Sequence, residues 1–208
     1  MIEVDNFKIF ENILFFNNPD MYILMYVQTR GVDVGERDGA RDEMDFGYNK
    51  NIRKFWVLRS IDDMRDAIDE AKELCSDHRA RTYIIPTGKS MEFLKNGLGI
   101  ETDEELETQI EIQDPYLFQY AVNSIGIYNV RISADVDSKS EHIIQSVIKD
   151  AIELSTQGDI SQDIYVLPSK KGVHIVSPQY VMREMRRRHP FMFISTNMGD
   201  PAYFCLDD

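Results

Sequence analysis

The chain is poor in cysteine, in basic charge and in long apolar runs. Two cysteines in 208 residues are too few for a disulfide framework. Cys75 and Cys205 lie in apolar surroundings that fit reduced, buried thiols better than a zinc site. No apolar run approaches the roughly 18 residues of a membrane-spanning helix. The opening MIEVDNFKIF lacks the basic start and apolar core of a signal peptide, so the expected location is cytoplasmic, without membrane contact. No stretch repeats at a fixed period, which speaks against solenoids and propellers. Eleven glycines and seven prolines beside 43% hydrophobic residues exclude collagen-like and disordered chains. The length suffices to bury a sizeable core, and a single domain over residues 1–208 is expected.

Lysine and arginine number 23 against 36 aspartates and glutamates, a formal net charge of −13. A broad positive field for nucleic acid is therefore missing. Three functions survive that absence. A local basic patch can bind a backbone, clustered carboxylates can hold metal ions, and an acidic surface can itself mimic a nucleic-acid backbone.

The apolar runs Phe7–Phe16 and Met21–Val27 flank a turn signal at Asn17-Asn18-Pro19-Asp20, and the second run reads as a buried strand. Residues 29–51 mix both charge signs with glycines and read as a long exposed loop. Its acids lack the spacing of a calcium loop. Phe55–Leu58 reads as a strand. Ser60 with Asp63 resembles a capping box, opening a helix whose apolar face is Ile61, Met64, Ile68, Ala71 and Cys75. Ala80–Ile85 reads as another strand. The following Pro86-Thr-Gly-Lys-Ser90 invites a phosphate-loop reading, but that loop needs glycine where Tyr83 stands. A turn with an exposed Lys89 is expected instead. Thr102 with Glu105 caps an acidic helix, Asp114-Pro115 starts another, and Ser138 with Glu141 suggests a third capping box before the amphipathic stretch 143–154. Strands at 164–167 and 173–176 enclose a turn at 168–172. A basic helix starts at Ser177-Pro178, and strands follow at 191–195 and 203–206. The expected fold class is α+β, with a mixed or antiparallel sheet and flanking helices.

Two segments carry chemistry. Along residues 129–137 the odd positions (Asn129, Arg131, Ser133, Asp135, Asp137) are polar and the even positions (Val130, Ile132, Ala134, Val136) apolar. Successive side chains on a strand alternate faces. Asp135 and Asp137 therefore share one face, their Cα atoms roughly 6–7 Å apart. Carboxylates so placed can converge on Mg²⁺ or Mn²⁺, and paired metals stabilise both oxygens of a phosphoryl displacement. The second segment, Ser169-Lys-Lys-Gly-Val-His174, is a basic, glycine-bearing turn delivering a histidine on the next strand. Such a turn suits an anionic phosphate. Arg183, Arg186, Arg187 and Arg188 form the one concentrated basic stretch, placed to track a template backbone or to complement the end of their own helix.

The order strand, Asp-x-Asp, helix, strand, basic glycine turn, x-His, strand resembles the archaeo-eukaryotic primase superfamily, including its primase-polymerase branch and small phage or bacterial members. The resemblance covers about residues 55–208. Ala134-Asp135-Val136-Asp137 corresponds to the first motif and Gly172-Val173-His174 to the second, where many members have serine in place of Gly172. Tyr203–Asp207 corresponds to the third. The resemblance implies a primase-catalytic-core-like fold containing an RRM-like element. It further implies metal ligation by Asp135, Asp137 and Asp207, and a triphosphate held by His174, Lys170 and Lys171 beside Gly172. Arg131 would orient phosphate or pair with Asp135. Nucleoside triphosphates and a single-stranded DNA template would be the partners, with a replication or host protein as a further one. The competing expectation is an acidic, non-enzymatic binding or inhibitory protein, a viral nucleic-acid mimic using the acids of 33–45 and 101–111. A third is a metal nuclease using the same aspartate pair.

Overall fold

A computed structural model describes residues 2–29, 51–128, 130–138, 140–156, 164–195 and 199–206. The expected loop at 29–51 falls almost wholly outside them, as does Asp207. The architecture is a mixed α/β fold of two antiparallel sheets flanked by helices.

The first sheet has five strands: β1 (Ile2–Asp5), β2 (Met21–Thr29), β3 (Ile52–Leu58), β4 (Ala80–Ser90) and β9 (Asp200–Leu206). Their order is β1-β9-β4-β2-β3. Both faces of its centre are covered. Met21, Ile23, Met25 and Ile84 pack with helices α1 (Phe7–Ile13) and α2 (Ile61–His78). Tyr22, Leu24 and Ile85 pack on the other side with α3 (Met91–Leu98), α4 (Asp103–Glu111) and α5 (Pro115–Asn123). Burial on both faces explains why β2 reads as a continuous apolar run. The second sheet has four strands in the order β6-β7-β5-β8: β5 (Arg131–Val136), β6 (Tyr165–Pro168), β7 (Val173–Pro178) and β8 (Phe193–Ser195). Helices α6 (Glu141–Thr156) and α7 (Gln179–Arg188) cover its apolar face through Val147, Ala151, Val181, Met182 and Met185. Leu167 and Val176 turn the other way, into the core of the first sheet. Among the described residues no helix is long and apolar enough to cross a membrane.

The capping boxes at Ser60/Asp63 and Thr102/Glu105 form as expected, and the Asp114 side chain caps α5 with Pro115 in its first turn. The box at Ser138/Glu141 does not form. The helix begins at Glu141, and the Ser138 hydroxyl accepts from the Ser140 N–H instead. The basic helix starts one residue later than expected, with Pro178 as its N-cap.

The largest departure concerns Pro86–Ser90. It is no turn: β4 runs through it to Ser90, every residue buried. The β2–β4 register shifts between Tyr22 (opposite Lys89) and Leu24 (opposite Ile85). Pro86 sits in that irregularity, where a missing N–H breaks no ladder bond. Lys89 is 1% exposed. Its ammonium donates to the carbonyls of Ala121 and Val122, at the C-terminal end of α5, where the helix dipole favours a cation. Burial alone pushes its pKa down to about 8. Cys75 is buried as expected, its thiol pushed up to about 11 by burial, while Cys205 is only half-buried.

Candidate functional site

The alternation read along β5 holds in three dimensions. Ile132, Ala134 and Val136 are buried in the core beneath α6 and α7, so Ser133 and Asp135 face the opposite way. β7 lies antiparallel beside β5 with His174 directly across from Asp135. Cross-strand partners project to the same face, which brings the imidazole to the carboxylate. His174 Nε2 lies 3.5 Å from Asp135 Oδ1. That oxygen is buried and has no hydrogen-bond partner among the described residues.

The other side of the imidazole is occupied by an acid that the sequence did not nominate. His174 Nδ1 lies 3.0 Å from Asp200 Oδ1. The Ser133 hydroxyl donates to Asp200 Oδ2 in a short hydrogen bond. Asp200 is fully buried and opens β9, so it reaches from the first sheet into the face of the second. The signal it left was faint: Gly199-Asp200-Pro201 reads as a turn, and only the apolar run behind it marks a strand.

Burial raises the pKa of Asp135, and repulsion from Asp137 and Asp200 adds to this, while His174 pulls the other way. Burial also works against the His174 imidazolium. The Asp200 hydrogen bond and the charges of Asp200, Asp135 and Asp137 outweigh it and hold the histidine above its ordinary value. Asp137 itself is exposed, just past the end of β5.

The turn that carries Lys170, Lys171 and Gly172 lies at the Asp137 end of this pair, because Val173 is opposite Val136. Gly172 is required by a close approach. A Cβ there would stand 2.0 Å from the Val136 carbonyl oxygen and within 3.0 Å of the Ser138 backbone. Any larger residue at this position therefore meets a steric barrier: the turn presses on the strand end that presents Asp137. Lys171 is exposed and Lys170 half-buried.

Other expected members separate from the cluster. Arg131 stands at the far end of β5, four residues and about 13 Å from Asp135. Its backbone is engaged by Thr87, and the cation beside Asp135 is His174, not Arg131. In α7, Arg187 pairs with Glu184 and Arg188 with Asp150 and Glu153 of α6. Half of the basic stretch is thus partly neutralised, leaving Arg183 and Arg186 as its exposed, unpaired members among the described residues. Asp207 lies outside the described residues, and the Asp200 oxygens are engaged by His174 Nδ1 and the Ser133 hydroxyl.

Among the described residues no three His, Cys, Asp or Glu side chains converge as a metal-ligand set. The donor chemistry of the aspartate pair still fits a hard divalent cation. It offers oxygen ligands with mutual repulsion, and one buried carboxylate oxygen has no hydrogen-bond partner among the described residues. No family model, curated protein or solved structure matches the chain.

Proposed function

We propose that this chain is a primase- or primase-polymerase-like nucleotidyltransferase domain acting on DNA, of full or reduced catalytic activity. The observation that carries the reading is the shared polar face of β5 and β7, where an Asp135 oxygen with no hydrogen-bond partner among the described residues lies 3.5 Å from the His174 imidazole. Asp135 and Asp137 would hold Mg²⁺ or Mn²⁺, which when bound neutralises phosphate charge and lowers the pKa of a hydroxyl. The protein's own contribution is position and charge. A protonated His174 donates from Nε2 to a phosphate oxygen, and the glycine turn brings Lys170 and Lys171 to the same end of the strand pair. Exposed Arg183 and Arg186 are available to a template backbone.

The test is a primer-synthesis and extension assay with Mn²⁺, labelled nucleotides and single-stranded DNA, beside calorimetric metal titration. Incorporation should occur in the wild type and be abolished in Asp135→Asn/Asp137→Asn. Metal should bind the wild type with micromolar-to-millimolar affinity and the double variant at least tenfold more weakly. Identical titrations for both proteins discard the metal site.

A second reading, an acidic binding or inhibitory protein, is favoured by one separate observation. Seven exposed large hydrophobic residues (Phe93, Ile112, Tyr116, Tyr120, Ile125, Ile127, Val130) fall between residues 93 and 130. The same stretch contains the acidic helix α4. Strand scission in place of incorporation supports instead the nuclease use of the same aspartates.

A further inference from the structure

The geometry points to Asp200 as the positioning residue of His174: it holds the imidazole by Nδ1 and so fixes Nε2 facing Asp135. This inference rests on the nucleotide-binding reading above and assigns a role to a residue outside all three motifs.

The argument starts from donors and acceptors. An ionised carboxylate only accepts hydrogen bonds. At the 3.0 Å contact between Asp200 Oδ1 and His174 Nδ1 the shared proton therefore sits on Nδ1. The remaining nitrogen, Nε2, points to Asp135 at 3.5 Å. Histidines that act through one nitrogen commonly have the other fixed by a carboxylate, which sets both tautomer and ring orientation.

Asp200 is itself held. Its second oxygen takes the Ser133 hydroxyl, and Ser133 lies two residues from Asp135 on the same face of β5. Pro201, the next residue, is tied by its carbonyl to the side-chain amide of Asn6 at 2.8 Å. A buried acid with both oxygens engaged and its backbone pinned is a rigid support. Removing it would leave Nδ1 without a partner and the ring able to turn about its bond to Cβ. The other His–Asp pair, His189 Nε2 to Asp150 Oδ2 at 2.8 Å, joins α7 to α6 and provides an internal control.

The experiment uses the full chain with ¹⁵N-labelled histidine and long-range ¹H–¹⁵N correlation, with His174 assigned by His174→Gln. The wild type should show Nδ1 of His174 protonated without any ligand. Asp200→Asn, which keeps size and one acceptor, should shift the Nδ1 and Nε2 resonances and weaken dATP binding in Mn²⁺ by tenfold or more in calorimetry. Asp150→Asn should leave both readouts of His174 unchanged. An unprotonated Nδ1 in the wild type overturns the assignment, as does dATP affinity within twofold of wild type in Asp200→Asn. A wild type that binds no dATP but shows Nδ1 of His174 protonated overturns the nucleotide reading while bearing out Asp200 as the support of the ring.

Discussion

Single residues show where alternation suffices and where it fails. Asp135 and His174 were readable because each lies in a short segment whose apolar neighbours fix its face. Lys89 was not, because lysine in a Pro- and Gly-bearing stretch is normally a turn residue at the surface. Its burial gives a pH signature. The folded pKa, about 8, lies below the unfolded value near 10.4. Between these two values the unfolded chain binds the extra proton, so this residue's contribution makes stability rise with pH. Relative to Lys89→Met, the wild type should gain on the order of 3 kcal/mol between pH 7 and 10.5, measured by urea denaturation at several pH values. The difference between the two proteins isolates Lys89 from Tyr22 and Cys75. Burial raises the pKa of both, so each weakens the fold as pH climbs. A difference that stays flat across that range refutes the assignment of a charged, buried lysine. Asp200 escaped detection for a related reason. Its importance comes from contacts 26 and 67 positions away in sequence, to His174 and Ser133, and no local pattern records them.

At the scale of elements, the strongest signals were chemical rather than periodic. Ser60, Thr102 and Asp114 marked three helix starts because each satisfies otherwise orphaned N–H groups. Helix α3 left no such clear trace. Its cap, Ser90, belongs to the end of β4, and Asp20 of a distant turn supplies a second acceptor, to the Glu92 N–H. Strand β3 shows how an edge is managed without a neighbouring strand. The Gln113 side-chain amide accepts from the Phe55 N–H at 2.7 Å and donates to the Phe55 carbonyl at 3.1 Å. It thus closes one unit of an open ladder. The backbone of Gln113 adopts φ +56°. Gln113→Ala should cost about 1–3 kcal/mol and increase self-association through β3, read by thermal denaturation and light scattering. Gln113→Gly relieves the left-handed backbone but lacks the amide. It should self-associate as well, which separates the edge bond from backbone strain. Unchanged mass in both variants removes this role.

For the whole molecule, the mixture of elements along the chain foresaw an α+β fold but not its division into two sheets. That division depends on which distant strands pair, and β9 joins β1 and β4 across most of the sequence. Beside the packing of Leu167 and Val176 into the first sheet's core, polar tethers link the sheets. The Thr87 hydroxyl donates to the Arg131 carbonyl at 2.7 Å and accepts the Arg131 N–H at 3.0 Å. Asn6 donates to Pro168 in one sheet and Pro201 in the other. The single tryptophan, Trp56, lies on β3 and reports on the five-stranded sheet alone. In the wild type, urea transitions followed by tryptophan fluorescence and by far-ultraviolet circular dichroism should coincide, as for one cooperative unit. Thr87→Val keeps the shape but strands both Arg131 backbone groups. It should lower the midpoint by the equivalent of about 1–3 kcal/mol and pull the two transitions apart. Coincident curves at an unchanged midpoint would show that the tether carries no coupling.

Strand β9 is made late yet sits between two strands made early. On a ribosome, β1 has no strand partner until β9 arrives, and the slot at the open edge of β4 waits through more than a hundred residues of translation. Such edges invite pairing with other nascent chains, so synthesis favours chaperone cover until the slot is filled. The same insertion delivers Asp200 beneath His174. Closure of the sheet and support of the imidazole are then one event, and an unfinished polypeptide carries the two motif aspartates without a steadied histidine beside them.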